Sequence, residues 1–316
     1  MSSSSSLGGG DRPRVSVVIP AFRAATTIGK AIDSVIAQTS PVAQILVVDD
    51  GSPDDLGAVV SAYGAAVQYC RKANGGAASA RNLGIDRCDG DWVAFLDADD
   101  YWEPDKLRRQ LEVADAHPEV GLIAGRYFEE EPGGVRAERR GEASRFLGRP
   151  LRPSRRETFE FATTIWTSTI IVRREVLGEH RFENGLEPAE DRDLWVRLVT
   201  STPVYLLPEP LATAVLTPGS LSRSHADGDY PQMLRVVRRH AELLGRRGRR
   251  SWEAKVYGRW ASVHLGGGRP GMAIAPAWDR LLRQPLSPQG WWVLSKCLAL
   301  AVTSRSPRDH PRTGPR

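Results

Sequence analysis

The stretch Trp92-Val93-Ala94-Phe95-Leu96-Asp97-Ala98-Asp99-Asp100 places five apolar residues directly before a cluster of acids. An unbroken apolar run of that length reads as a strand covered on both faces, the habit of parallel sheets. Working outward, the same layout recurs. Val15-Ser16-Val17-Val18-Ile19 is a β-branched run stopped by Pro20, and Ile45-Leu46-Val47-Val48 ends in Asp49-Asp50-Gly51-Ser52. Helical patterns separate the runs. Thr26 and Thr27 stand where a cap is needed for a helix with apolar positions Ile28, Ala31, Ile32, Val35 and Ile36. A short helix is predicted around Pro53 to Tyr63 and a strand near Val67 to Arg71. The turn Asn74-Gly75-Gly76 then opens an Ala-rich helix through Ile85. Repeated β-α units with short loops predict an open parallel α/β sheet with helices on both faces. Ligands of such sheets bind at the carboxyl ends of the strands, so Pro20-Ala21-Phe22, Asp49-Asp50 and Asp97-Ala98-Asp99-Asp100 are expected to converge.

Further along, a helix is predicted from Pro104 to about Ala116 and a strand at Val120 to Ala124. Glu129 to Arg156 is rich in Gly, Pro, Arg and Glu and reads as a mobile, irregular excursion. A strand at Trp166 to Val172, a helix at about Asp191 to Thr200 and a strand at Val204 to Leu207 follow. Leu194, Trp195, Leu198 and Val199 share one face of that helix. Beyond Tyr230 the pattern is helical and arginine-rich.

The formal net charge of +5 over 316 residues is an average of two unlike parts. From Met233 onward there are 17 Lys/Arg against four Asp/Glu, or +13, which leaves −8 for the preceding residues. This polarity suits an acidic body that handles cations and a basic tail that faces something anionic. The tail arginines Arg235, Arg238, Arg239, Arg246, Arg247, Arg249 and Arg250 lie near Trp252, Tyr257 and Trp260. Farther on, Arg305 and Arg308 follow an apolar segment headed by Trp291-Trp292. Basic residues beside tryptophans fit a membrane interface better than a nucleic-acid groove, and no nucleic acid is expected as a partner. A helical subdomain with a solvated arginine face has the same composition. Met1 to Gly10 reads as a flexible leader without the marks of a signal peptide. The apolar stretch Trp291 to Thr303 is too short to span a bilayer, and no crossing segment is predicted. Cys70, Cys88 and Cys297 form neither a disulfide framework nor a zinc signature. The expected location is the cytoplasm, with contact at the inner face of the membrane.

Asp97 and Asp99 stand at i and i+2 on a strand end, where they can share a hard divalent cation. Magnesium is usually held by one or two carboxylates plus substrate phosphates, so such a pair suits a diphosphate substrate. A solvated acidic turn before the helix at Pro104 contains the same residues, and Asp100 reads as a cap or bystander. Glu190-Asp191 is likewise compatible with an ordinary acidic helix start. The one G-x-G-x-x-G string, Gly266 to Gly271, follows a helical pattern rather than a strand, and no P-loop is present, so neither NAD nor ATP chemistry is supported.

Taken together, Ser16-Val17-Val18-Ile19-Pro20-Ala21-Phe22, Val47-Val48-Asp49-Asp50-Gly51-Ser52, Ala80-Arg81-Asn82-Leu83-Gly84-Ile85 and Phe95-Leu96-Asp97-Ala98-Asp99-Asp100 resemble the successive motifs of family 2 glycosyltransferases. Glu190-Asp191-Arg192-Asp193-Leu194-Trp195-Val196-Arg197-Leu198 is similar to that family's acidic pair followed by a Trp-bearing helix. The match spans about Val15 to Leu221 in the expected order. The resemblance implies the GT-A fold, a Rossmann-like open, mostly parallel sheet flanked by helices, here with a C-terminal helical extension. The corresponding division is a leader at 1–13, a GT-A domain at 14–225 and a basic helical extension at 226–316.

It also implies a metal-dependent, inverting, hexosyltransferase-type enzyme acting on a nucleotide-sugar donor, with a UDP-sugar favoured. The acceptor would be a saccharide or lipid-linked hydroxyl in envelope polysaccharide or glycolipid synthesis. Pro20, Ala21 and Phe22 would line the nucleotide pocket, Asp50 would hydrogen-bond the base, and Arg81 would organise the pocket. Asp97 would lie near the ribose and contribute more weakly to the metal, Asp99 would coordinate Mg2+ or Mn2+, and Asp191 would be the general base. Apart from the resemblance, Glu190 and Trp166, with Thr167-Ser168, are candidates for the acceptor side, although a Trp opening a strand also reads as core. His225 is a candidate for the diphosphate or metal as well as a solvent-exposed loop histidine. Phe22 stands where Tyr is common and Arg23 where Asn is common. Two other classes stay open. A sugar-phosphate nucleotidyltransferase would usually carry a Gly-rich first loop, yet Pro20 to Thr26 has no glycine. A non-catalytic basic membrane- or RNA-binding module would leave the convergent acids unexplained.

Overall fold

A computed structural model describes residues 13–139, 145–152, 154–216 and 226–303. The leader Met1–Gly10, His225 and the arginines at 305 and 308 lie outside the described residues. The chain divides into two compact units after residue 217.

In the first unit the strands β1 (Val15–Ala21), β2 (Gln44–Asp49), β3 (Gln68–Arg71) and β4 (Trp92–Phe95) form where the apolar runs predict them. β1 is flanked by β2 and β4, and β2 by β3, all in parallel register. Every residue of β1 is buried, as a central strand covered on both faces requires. The helices α1 (Ile28–Ile36), α2 (Leu56–Ser61) and α3 (Gly76–Asp86) fill the crossovers. α1 buries Ile28, Ala31, Ile32 and Val35, whereas Ile36 is half exposed at the helix end. Thr27 precedes α1 without a side-chain cap; its hydroxyl donates to the Ala24 carbonyl instead. α2 is shorter than its sequence pattern suggests.

α3 lies very close to β1. A Cβ at Gly84 would sit 2.3 Å from Val18 Cγ1, so this helix-strand approach tolerates only hydrogen at that position.

The sheet then mixes directions. β5 (Tyr101–Trp102), α4 (Lys106–Ala116), β6 (Leu122–Glu130), β7 (Arg136–Glu138) and β8 (Pro150–Leu151) lead to α5 (Arg155–Thr164). β9 (Ile171–Arg173), α6 (Arg174–Leu177), α7 (Glu190–Ser201) and β10 (Val204–Val215) complete the unit. The strand order is β3-β2-β1-β4-β9-β6-β10-β5, with β7 on β6 and β8 on β10. β9 is antiparallel to both β4 and β6, while β6 and β10 are parallel.

Three expectations need correction. Glu129 to Arg156 is not an irregular excursion among its described residues: β6 continues to Glu130, turns at Gly133 and Gly134 with positive φ, and returns as β7. Backbone pairing there is compatible with a composition that looks like loop. Trp166 to Val172 is not one strand. Thr167–Thr169 forms a 3-10 turn closed by the Thr169 amide on the Trp166 carbonyl (2.9 Å), and only Ile171–Arg173 is extended. β10 runs well past Leu207, with register shifts around Pro210 that accommodate the missing proline N–H.

The second unit contains α8 (Ala226–Arg239), α9 (Ala241–Gly266), α10 (Pro270–Arg283) and α11 (Pro288–Thr303). α9 breaks at Gly245, whose φ of 64° is non-helical. Ala261, Ala273, Ala277, Leu281, Val293, Leu294 and Cys297 form its core.

Gly84→Ala tests the α3–β1 approach. Urea unfolding is expected to show a loss of about 1–3 kcal/mol, the usual cost of forcing a methyl group into a filled interior. Unchanged stability would mean that α3 does not pack at this distance.

Candidate active site

One arginine joins the acidic strand end after β4 to the acidic start of α7. Arg81 projects from α3 and its side chain is almost wholly buried. Its two terminal nitrogens donate 2.7 Å hydrogen bonds in different directions, one to Asp97 Oδ1 after β4 and one to Glu190 Oε1 at the start of α7. Its guanidinium also lies 5.2 Å from the Phe182 ring centroid. Burial alone would favour the neutral arginine, but the Asp97 and Glu190 charges outweigh it and hold the cation firmly. Glu190 is pushed the other way. Burial raises its pKa above the ordinary range, the Arg81 charge partly offsets this, and neighbouring Asp191 adds to the rise. Arg81 Nε and Glu190 Oε2 are buried with no protein partner.

Asp97, Asp99 and Asp100 occupy three different environments within four residues. Asp97 is a quarter exposed, its Oδ1 bound by Arg81, and its amide donates to Ser168 Oγ at 3.2 Å. Asp99 is partly buried, and burial together with the nearby Asp97 charge raises its pKa to about 6. Asp100 is fully enclosed. Its carboxylate accepts from Trp166 Nε1 (2.8 Å), Ser168 Oγ (2.6 Å) and the Val215 amide (3.2 Å). Burial, then the charges of Asp97 and Asp99, push its pKa well above the usual carboxylate range. Asp100 is therefore no bystander: it anchors the Trp166–Thr169 turn to the end of β4. Its signal in the sequence was only its place in an acidic run, because its partners lie 66 or more residues away.

Trp166 points its N–H at Asp100 and stacks on Tyr127, with centroids 5.2 Å apart. The same turn reaches Asp191. Thr167 Oγ1 donates to Asp191 Oδ2 at 3.1 Å while accepting from Trp195 Nε1 at 3.3 Å. Asp191 Oδ1 accepts the Arg192 amide at 2.6 Å. Thr167 thus connects Asp191 to a buried tryptophan one helical turn away, a link invisible in the spacing of α7 alone.

Around β1 and β2 the arrangement is different. Pro20 and Ala21 are buried in β1, whereas Phe22 is 45% exposed beside them. Arg23 has a φ of 53°, a left-handed backbone that Asn adopts more readily than Arg, and its amide donates to Ser52 Oγ. Asp50 is buried and accepts Lys72 Nζ at 2.7 Å and the Gly75 and Gly76 amides at 2.8–3.1 Å. Its oxygens therefore hold the first amides of α3, where the helix dipole favours an anion. Gly51 makes this turn possible, since a Cβ there would meet the Asn74 amide nitrogen at 2.9 Å. Asp49 sits deeper. Burial would raise its pKa, but hydrogen bonds from Ser52 and Tyr69 win and lower it. Tyr69 is pushed up to about 12 by burial and its bond to Asp49.

α3 is consequently the common element: Asp50 holds its first amides and Arg81, farther along, gathers Asp97 and Glu190. Of the residues singled out in the sequence, Arg81, Asp97, Asp99, Glu190, Asp191 and Trp166 belong to one network. Pro20, Ala21, Phe22 and Asp50 form a neighbouring group, tied to β1 by the Asp50 amide on the Ala21 carbonyl. Among the described residues no group of three or more His, Cys, Asp or Glu side chains is arranged to hold a metal by itself.

Comparison with known proteins agrees with this architecture. An uncharacterized glycosyltransferase of Rickettsia prowazekii is 39% identical over 101 residues, 32% of this chain and 32% of its own length. A Bacillus subtilis protein described as a putative teichuronic acid biosynthesis glycosyltransferase, TuaG, is 40% identical over 106 residues, covering 32% of this chain and 42% of that one. The matched segment therefore spans only about a third of the first of these relatives. Among solved structures, residues 1–349 of Staphylococcus aureus TarS in complex with UDP-GlcNAc superpose with a TM-score of 0.61 at 17% identity, covering 92% of this chain and 88% of that one. The mannosyltransferase PcManGT of Pyrobaculum calidifontis, in complex with GDP-Man and Mn2+, gives 0.53 at 18%, covering 95% and 77%. The model of glycosyl transferase family 2 matches residues 16–181, more than half of the chain, and the chain belongs to that family.

Proposed function

We propose that this protein transfers a sugar from a nucleotide-diphosphate donor, a UDP-sugar in first place, to an acceptor hydroxyl with inversion at the anomeric carbon. One observation carries the reading: Arg81 gathers Asp97, beside Asp99 at the carboxyl end of β4, and Glu190, beside Asp191 at the start of α7. Ligand sites of open α/β sheets form at carboxyl strand ends. The donors named for the TarS and PcManGT complexes support a nucleotide sugar, and the description of TuaG supports an envelope-polysaccharide acceptor.

The acidic pair suits a divalent cation. Burial first, and then the nearby Asp97 charge, raise the Asp99 pKa to about 6, and the Arg81 charge offsets this only in part, so positive charge placed beside Asp99 would be favoured. Among the described residues no third acidic, His or Cys side chain completes a set with Asp97 and Asp99, and Mg2+ is usually held by one or two carboxylates together with substrate phosphates and water. Asp99 would hold it, with Asp97 Oδ2 as a weaker contributor. Bound Mg2+ or Mn2+ supplies Lewis-acid stabilisation of the departing diphosphate.

The protein's own groups do the rest. Phe22, exposed at the end of β1, offers an apolar face to the base, and Asp50 fixes the turn beneath it through Lys72 and the α3 amides. Asp191 accepts the proton of the acceptor hydroxyl as it attacks, and Thr167 fixes its orientation through Oδ2. Attack from the face opposite the diphosphate inverts the anomeric centre. Arg81 positions both halves: it holds Asp97 beside the donor and Glu190 beside the base.

Calorimetric titration with UDP, dTDP and GDP, with and without Mn2+, is expected to show metal-dependent binding strongest for UDP; no binding to any of the three would overturn the reading. Asp99→Ala should abolish the metal dependence. Asp191→Asn should leave UDP affinity nearly unchanged and lower turnover by about 10^2–10^4-fold, the usual contribution of a general base. Wild-type turnover in that variant would reassign the base.

Arg81→Leu is expected to lower stability by about 3–5 kcal/mol, because it strands the buried Glu190 carboxylate and removes the partner of Asp97. Arg81→Lys should fold better but lose turnover, since an ammonium cannot bridge two partners with a rigid planar fork. Thermal unfolding and turnover of the two variants separate these effects.

A further inference from the structure

The second unit ends, within the described residues, in two helices with apolar outward faces. Val293, Leu294 and Cys297 of α11 turn inward with Ala273, Ala277 and Leu281 of α10. The opposite side of α11 would be polar if it met only water. Instead Trp291, Leu298 and Val302 fall on one stripe, spaced by seven and four residues, and are 52%, 47% and 73% exposed. Trp292 is 63% exposed, and α11 contains a single charged residue, Lys296. On α10, Trp278 and Leu282 repeat the pattern, and Leu286 between the helices is 93% exposed. Isolated surface apolar residues are ordinary, but a concentration of large ones on two packed helices marks an interaction face. The aromatics closer to the arginine run behave differently: Trp260 stacks with Tyr230 and Tyr257 inside the unit.

Cations border this face. Arg247, Arg250 and Arg283, with Gln284 and Pro285, line a cavity of about 310 Å³; Arg283 is already paired with Glu253 (3.0 Å) and Asp279 (2.5 Å), so Arg247 and Arg250 are the cations it offers to an anion. The Pro285 carbonyl accepts the Trp291 indole N–H at 2.9 Å, and Arg250 donates to the Leu282 carbonyl at 3.2 Å. The arginine pocket and the exposed apolar residues therefore share the α10–α11 connection.

The chemistry selects the occupant. No helix among the described residues is long and apolar enough to cross a membrane. An apolar helix face bordered by cations has the composition of an element lying in the plane of a bilayer surface. A second copy would bring together two segments that each carry +13 from Met233 onward, which opposes association. Anionic headgroups turn the same charge into attraction, and tryptophan suits the boundary between headgroups and acyl chains.

We infer that the outward face of α10 and α11, with the Arg247–Arg250–Arg283 pocket at its edge, docks on an anionic lipid bilayer. The inference is independent of the proposed transfer reaction.

The test is co-sedimentation of the full chain with vesicles of phosphatidylcholine alone and of phosphatidylcholine mixed with phosphatidylglycerol. Binding to the mixed vesicles is expected, roughly tenfold or more above neutral ones and weakened by salt. Leu286→Ser, at a position too exposed to be needed for folding, and Trp291→Ser/Trp292→Ser should each reduce binding to mixed vesicles. Arg247→Glu/Arg250→Glu should remove the preference for anionic lipid. Failure of the wild-type chain to sediment with mixed vesicles would overturn the inference, as would variants that bind like wild type. A concentration-dependent dimer abolished by the same substitutions, without vesicle binding, would assign the face to a second copy instead.

Discussion

A buried guanidinium must be neutralised, and in this protein that requirement ties the ends of distant elements together. Arg81 cannot sit inside α3's packing layer without anionic partners, and it takes one from the end of β4 and one from the start of α7. Two charge-assisted bonds from a planar fork fix direction as well as distance. Glu190 in turn lies beside Asp191, so the candidate base is located by an arginine 110 positions earlier in the chain. Loss of the pair would leave more buried charge than a surface ion pair ever involves.

Around that link the acids divide their tasks by environment. Asp100 is sealed under Trp166 and Ser168 and acts as structure. Asp97 is shared with Arg81, and Asp99 is partly buried, with a pKa raised to about 6 by that burial and by the Asp97 charge. Three carboxylates within four residues would be hard to distinguish from their order, yet burial separates them. Asp50 adds a fourth case, an acid engaged with Lys72 and the first amides of α3 rather than facing solvent.

The legibility of the molecule follows the range of the forces involved. The strands β1, β2 and β4 and their helices were readable because apolar periodicity is local and both faces of a central strand must be apolar. The segment from Glu129 onward was misread as irregular because β7 and β8 are edge pairings whose hydrogen bonds come from backbone, not from side-chain pattern. The Trp166 turn was misread as strand because its conformation depends on Asp100 and Tyr127, neither of them a sequence neighbour. In the second unit the helical character was plain, while the choice of exposed tryptophans was not: Trp260 turns inward and Trp291 and Trp292 outward.

By itself, the sequence determined the order of β-α units, the placement of acids at strand ends and the concentration of basic charge after Met233. Each depends on the identities of residues adjacent in the chain, so each is present before folding. Only the tertiary structure decided that Arg81 joins Asp97 to Glu190, that Asp100 is an anchor and that Thr167 aligns Asp191. Those relations are hydrogen bonds across 16 to 109 positions, and their geometry exists only once the low-dielectric interior makes unpaired charge too costly to keep.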